Sequence, residues 1–139
     1  MRAVREACVL LLVAAAPAGL ATRWHPGLAD ESRAGLEPGA VRLSAVRDWH
    51  TEVLWIDGRS EADFAQDHIP GALHADEAHF SEHIGEILAA WHSGERIVVY
   101  CSSLSCGTSK AVAQQLRDAG FADVYYLHGG WEAWIAAGR

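Results

Sequence analysis

The sequence predicts one α/β domain with a central, mostly parallel sheet of about five strands and helices on both faces. Short apolar runs without polar alternation, at 53–56, 97–100 and 124–127, are typical of strands buried on both faces. Stretches with helical spacing separate these runs, and strands that alternate with helices favour a parallel sheet.

The helices are predicted from the spacing of apolar residues and from capping signals. The clearest spans 79–91, where apolar side chains recur every three or four residues and Ser93-Gly94 follows as a stop. A second runs over 109–119 and ends before Gly120. Three shorter helices are expected at 44–49, at 60–67 behind the capping-box sequence Ser60-Glu61-Ala62-Asp63, and at 131–137, with a turn at 69–72.

The length, charge and cysteine content of the chain limit the classes of function that it can have. The chain has 139 residues, of which half are hydrophobic, so one packed domain with a short appendage is expected. The net charge of -7 and the absence of a basic patch argue against nucleic-acid binding. Three cysteines, two of them in one loop, do not make a disulfide scaffold.

The N-terminus has the pattern of an export signal. Arg2 and Arg5 precede an uncharged apolar run over 7–22, so residues 1–22 are predicted to be a signal peptide or membrane anchor, with membrane association through 4–21. A buried N-terminal helix is the alternative. Residues 23–40 are predicted to be a linker and 41–139 the domain, which export would place in the periplasm or another extracytoplasmic space.

Cys101 is the strongest candidate for catalysis. It follows a predicted strand and precedes a helix, a position where backbone N–H groups stabilise a thiolate and bind anions, so its pKa is expected to be lowered. The alternative is a buried cysteine that only packs. The predicted substrate-binding residues are those of the small, polar loop after it and the first cation of the helix: Ser102, Ser103, Leu104, Ser105, Gly107, Thr108 and Lys110.

Several segments together resemble a single rhodanese domain. They are Trp55-Ile56-Asp57-Gly58-Arg59, Asp63-Phe64, Asp67-His68-Ile69-Pro70-Gly71-Ala72, Val98-Val99-Tyr100-Cys101, Ala119-Gly120-Phe121 and Leu127-His128-Gly129-Gly130-Trp131. The resemblance implies a sulfurtransferase in which Cys101 carries a sulfane sulfur as a persulfide, without a cofactor. The implied partners are a small sulfur-donor anion and a thiol or cyanide-like acceptor. It also implies that Asp57 and Arg59 brace the loops by ion pairing.

The cysteine loop departs from the family pattern. The common loop has six residues and often contains an arginine, whereas the loop predicted here has eight, 101–108, and no cation. Rhodanese-like phosphatases place an arginine where this chain has Gly107, so phosphate or arsenate transfer is disfavoured.

Cys106 is the second departure from the family pattern. Its C-x4-C spacing to Cys101 permits a disulfide if the Cα atoms come within about 7 Å. The hypothesis is that Cys106 resolves a persulfide or sulfenate on Cys101. Packing is the alternative for Cys106. For the whole chain, the alternatives are a thiol–disulfide redox enzyme that uses both cysteines and a non-catalytic rhodanese-like binding or sensing module.

Histidines near the middle of the chain have other predicted roles. His68 is expected to hold the 69–72 turn through a hydrogen bond. His74, His79 and His83 cluster near Glu82 with spacing that could suit a metal, but the apolar stripe of their helix predicts that they face water. The sequence therefore predicts no metal site.

Overall fold

The structure is a computed structural model that describes residues 35–138. The predicted signal or anchor at 1–22 and most of the predicted linker at 23–40 lie outside these residues. No helix among residues 35–138 is both long enough and apolar enough to cross a membrane.

Five parallel strands form one sheet, which confirms the predicted α/β class. In chain order the strands are β1 (Ala40–Val41), β2 (Val53–Asp57), β3 (Leu73–His74), β4 (Arg96–Tyr100) and β5 (Val124–Leu127). Their order across the sheet is β1-β5-β4-β2-β3. The longest pairing joins β2 to β4 over five residue pairs, so β4 lies at the centre and its carboxyl end opens toward the cysteine loop.

The sequence predicted about five strands but did not locate two of them. The strands β1 and β3 have two residues each, too few for an apolar run or an alternation to show. They pair at the two edges of the sheet, β1 with β5 and β3 with β2. The sheet therefore reaches one residue into the segment predicted to be a linker.

Four helices connect the strands and a fifth follows the last strand, and the ends of all five lie within one or two residues of the predicted boundaries. They are α1 (Leu43–Arg47), α2 (Glu61–Gln66), α3 (Phe80–Ala90), α4 (Thr108–Asp118) and α5 (Gly130–Ala136). The predicted cap of α2 is present, since Ser60 Oγ accepts a hydrogen bond from the backbone N–H of Asp63 at 3.2 Å. Because α4 begins at Thr108, the cysteine loop is one residue shorter than predicted.

Helices cover both faces of the sheet, as predicted. Ile97 and Val99 of β4 pack into a cluster with Ile87 of α3 and Leu116 of α4. Val98 and Tyr100 pack into a second cluster on the opposite face, together with side chains of α1 and the tryptophans of α5. Ile97, Val98, Val99 and Tyr100 are all fully buried. This explains why the strand sequence is continuously apolar.

Candidate active site

The Cys101 thiol lies directly beyond the carboxyl end of the central strand. The residue is 1% exposed. Its Sγ is 3.4 Å from Ser109 Oγ, 3.4 Å from the carbonyl oxygen of Cys106 and 3.7 Å from that of Ser103. The loop therefore closes around the sulfur from several sides, at the edge where parallel α/β sheets bind their ligands.

The start of α5 holds the cysteine loop in place. The backbone N–H of Trp131 donates to the carbonyl oxygen of Cys101 at 2.6 Å, and that of Glu132 donates to the carbonyl oxygen of Ser102 at 3.1 Å. Gly130 permits this approach, because a Cβ built there would overlap the Cys101 carbonyl oxygen and lie 3.0 Å from its carbon. The sequence predictions included Gly130 only as part of the rhodanese-like segment 127–131 and missed this role.

Asp57 and Arg59 form a buried ion pair at the neighbouring strand end. Arg59 Nη2 is 2.7 Å from Asp57 Oδ2, and its Nε and backbone N–H also donate to the carboxylate. The same guanidinium donates to the Asp67 carbonyl at 2.6 Å and lies 4.4 Å from the centre of the Trp131 ring. The pair thus connects the ends of β2 and α2 to the first turn of α5.

A cavity of about 490 Å³ opens beside this pair and the cysteine loop. Arg59, Ser102 and Trp131 line it together with the carboxylate side chains of Asp63, Asp67 and Glu132. Arg59 is the cation of this lining, and Asp57 already neutralises it. The charged side chains of the lining are therefore acidic overall, which weakens the attraction of the cavity for a doubly charged anion.

The pKa values of the two loop thiols shift in opposite directions, and that of Cys101 shifts against the prediction. Burial raises the pKa of Cys101, and a hydrogen bond with the Cys106 side chain raises it further, against the lowering effect of Ser109. Burial also raises the pKa of Cys106, but hydrogen bonds with Cys101 and Thr108 outweigh it, so that pKa is lowered overall. The prediction of a lowered Cys101 pKa was wrong because desolvation outweighs the helix N-terminus.

The remaining loop residues differ in position. Ser102, Leu104 and Ser105 are exposed, and Leu104 is 64% exposed at the tip of the loop. Ser103 Oγ lies 3.2 Å from Ser105 Oγ. Gly107 has φ −80° and ψ −17°, a right-handed conformation open to any residue, so its backbone does not require glycine.

Thr108 and Lys110 belong to α4 rather than to the loop. Thr108 is the first residue of this helix. The ammonium group of Lys110 lies 2.6 Å from Glu37 Oε2, and both side chains are exposed. The structure therefore places the predicted substrate-binding cation in an ion pair with the segment before β1.

Histidine side chains show a mixed outcome. His68 Nδ1 lies 2.9 Å from the carbonyl oxygen of Phe64, and the two rings stack with centres 4.1 Å apart. The prediction that the central histidines face water was wrong for His74 and His83, which are half-buried and close together. His79 is exposed, as that prediction required.

Ser109 is a site residue that the sequence prediction missed. It was assigned to a helix start and is 3% exposed, with its hydroxyl against Cys101 Sγ. A serine in the first turn of a helix that follows a cysteine loop is the signal that could have found it, since its hydroxyl can turn back toward the loop.

Replacing Ser109 tests whether its hydroxyl stabilises the Cys101 thiolate. In a Cys106→Ser chain, Ser109→Ala raises the pKa of Cys101, because the Ser109 hydrogen bond favours the thiolate. The midpoint of Cys101 alkylation by iodoacetamide, followed by peptide mass mapping, then moves to higher pH and the rate at pH 7 falls. Ser105→Ala, on the exposed side of the loop, serves as the control. A midpoint that stays or moves down contradicts the assignment.

The fold and the site are those of a parallel α/β domain with a buried cysteine beyond its central strand, enclosed by a strand–loop–helix segment. The sequence model of the rhodanese-like domain matches residues 41–137. The chain belongs to the rhodanese-like domain family.

A curated relative agrees with this assignment, and solved structures agree with the fold. The chain is 33% identical over 100 residues to the thiosulfate sulfurtransferase GlpE of Coxiella burnetii, covering 68% of this chain and 87% of that protein. The BH2092 protein from Bacillus halodurans has a similar structure, with TM-score 0.59, 20% identity and coverage of 70% and 72%. The rhodanese-like domain of an Anabaena protein matches with TM-score 0.58, 24% identity and coverage of 73% and 76%.

Proposed function

We propose that the protein is a sulfurtransferase that carries a sulfane sulfur on Cys101. The observation that carries the proposal is the buried Cys101 thiol at the carboxyl end of β4, within 3.4 Å of the Ser109 hydroxyl. Relatives named thiosulfate sulfurtransferase support it at the level of the family.

The proposed transfer has two displacements. The Cys101 thiolate attacks the outer sulfur of a donor, the S–S bond of the donor breaks, and the donor leaves with the bonding electrons. With thiosulfate the leaving group is sulfite. A thiol or cyanide-like acceptor then attacks the outer sulfur of the persulfide, which breaks the sulfur–sulfur bond and regenerates the Cys101 thiolate.

Cys106 supplies a route to the reactive thiolate. Because the pKa of Cys101 is raised and that of Cys106 is lowered, Cys106 ionises first. Its thiolate can accept the proton of the Cys101 thiol, whose Sγ lies 3.4 Å from the Cys106 carbonyl oxygen, and this leaves Cys101 as the nucleophile.

Intact-mass analysis tests the proposal. The reduced protein gains one sulfur atom on Cys101 when incubated with thiosulfate or polysulfide, and Cys101→Ser does not. Cys106→Ser still gains the sulfur at pH 7. Sulfur uptake that survives Cys101→Ser contradicts the proposal, and no uptake on any variant supports the non-catalytic module instead.

The closeness of Cys106 to Cys101, whose Sγ lies 3.4 Å from the Cys106 carbonyl oxygen, favours a second candidate function, a thiol–disulfide enzyme. The Cys106 thiolate attacks Cys101 Sγ of the persulfide, the bond to the outer sulfur breaks, and hydrosulfide leaves as the Cys101–Cys106 disulfide forms. The outer sulfur is reduced and the two cysteines are oxidised, so an external dithiol is needed to restore them. Export into an oxidising compartment, as proposed from the N-terminal sequence, would favour the disulfide.

The two candidates give different products after one turnover. Sulfur transfer leaves both cysteines alkylatable and no hydrosulfide in solution until an acceptor is added. The redox reaction releases one equivalent of hydrosulfide and removes two alkylatable thiols, and Cys106→Ser abolishes both effects. Mass spectrometry after thiol trapping, together with a sulfide assay, distinguishes them.

A further inference from the structure

Three metal-binding side chains meet away from the cysteine loop, at the end of β3 and the start of α3. His74, Asp76 and His83 each offer one ligand atom, and these atoms lie within 4.8 Å of one another. All three residues are half-buried. The sulfur-transfer proposal uses none of them.

The fold orients His74 in the manner of a ligand. Its Nε2 lies 2.8 Å from the carbonyl oxygen of Arg59. Because a carbonyl oxygen only accepts, Nε2 carries the proton and Nδ1 keeps its lone pair. Metal-binding histidines commonly donate their second N–H to a backbone carbonyl, which fixes the ring and its tautomer. The Phe64 ring packs against the same imidazole, with the two ring centres 5.2 Å apart.

The Asp76 carboxylate is also held in place. Its Oδ1 accepts hydrogen bonds from the backbone N–H groups of Ala78 at 2.9 Å and His79 at 3.0 Å. The His79 ring adds a contact from Nδ1, at 3.0 Å to Oδ1. Such outer contacts orient a ligating carboxylate without using all of its lone pairs.

His83 completes the cluster from the first turns of α3. Its ring lies edge-on to that of His74, with centres 5.1 Å apart. In the part of the chain that the structure describes, no hydrogen bond or ion pair is found for the His83 ring. A half-buried imidazole thus faces another imidazole and a carboxylate with its own lone pair available.

We propose that His74, Asp76 and His83 bind a divalent transition-metal ion, with Zn²⁺ as the best match. Two imidazoles and one carboxylate suit zinc and its neighbours rather than the oxygen-seeking Ca²⁺ or Mg²⁺. With metal–ligand distances of about 2.0–2.2 Å, tetrahedral ligands lie about 3.3–3.6 Å apart. Small side-chain rotations are enough to contract the cluster to this size.

Three protein ligands leave one coordination position for water. Asp76 and His79 also line a surface groove with Arg59 and Thr108, so the groove connects the cluster to the first turn of α4. His79 keeps its hydrogen bond to Asp76 as an outer-shell partner.

Zinc titration by isothermal calorimetry tests the site. The full chain is used without an affinity tag and with Cys8→Ser, Cys101→Ser and Cys106→Ser, so that no thiolate competes for the metal. His83→Gln weakens Zn²⁺ binding at least about tenfold, since a direct ligand contributes no less than an outer-shell partner. His92→Gln is the matched control, an exposed histidine paired with Glu95, and it stays within threefold.

A second measurement keeps the proposal falsifiable if the triple variant fails to fold. In the wild-type chain, long-range ¹H–¹⁵N spectra show Zn²⁺-dependent shifts of the ring nitrogens of His74 and His83. Equal affinities of His83→Gln and His92→Gln overturn the proposal. Ring shifts confined to other histidines also overturn it, as does loss of Zn²⁺ binding in a cysteine-free variant that is still folded.

Discussion

Asp57→Asn lowers the free energy of unfolding by about 3–5 kcal/mol, the usual cost of removing one partner of a buried ion pair. Asp57 is fully buried and receives hydrogen bonds from the backbone N–H and the guanidinium of Arg59. Asparagine keeps the shape of the side chain but removes its charge, so Arg59 stays buried without a counter-ion. Urea denaturation, followed by tryptophan fluorescence, measures the loss.

A matched substitution isolates burial from charge. Asp118→Asn makes the same chemical change on the exposed end of α4, where the carboxylate accepts a hydrogen bond from Gln114. Its effect stays within about 0.5 kcal/mol, as for most surface substitutions. A loss below about 1 kcal/mol for Asp57→Asn, or equal losses for the two variants, would show that the ion pair does not brace this end of the sheet.

Gly130→Ala destabilises the protein and displaces the cysteine loop. The residue has φ +54°, a left-handed conformation that costs a non-glycine residue about 1–2 kcal/mol. The added Cβ also meets the Cys101 carbonyl, which must move away from the Trp131 N–H that binds it. Loading of sulfur on Cys101 therefore falls together with stability.

Gly71→Ala separates the cost of the left-handed backbone conformation from the cost of the clash with the Cys101 carbonyl. Gly71 has φ +81° but no atom within 4 Å of a Cβ built there, so its loss reflects the backbone conformation alone. We expect Gly130→Ala to lower the free energy of unfolding by at least about 1 kcal/mol more than Gly71→Ala does, because one net hydrogen bond contributes about that much. Urea denaturation and intact-mass loading measure both variants. Equal destabilisation with unchanged loading would remove Gly130 from the architecture of the site.

Much of the fold was predictable because its signals are local. The apolar residues of β4 and the helical stripe of α3 depend on burial alone, and both elements lie where the sequence placed them. The strands β1 and β3 were not predictable, because two-residue edge strands exist only through pairing with β5 and β2. The capping box of α2 was also predictable, since its signal is local and its hydrogen bond formed as expected.

The sequence by itself determined the fold class, the family and the position of Cys101, because each depends on residue types at fixed spacing along one chain. Only the tertiary structure decided how acidic that thiol is, since burial and contact with Cys106 outweigh the helix N-terminus. It also decided that Gly130 and Ser109 shape the site and that His74, Asp76 and His83 meet. These properties arise between elements brought together by folding, where desolvation and close approach have no counterpart in local sequence.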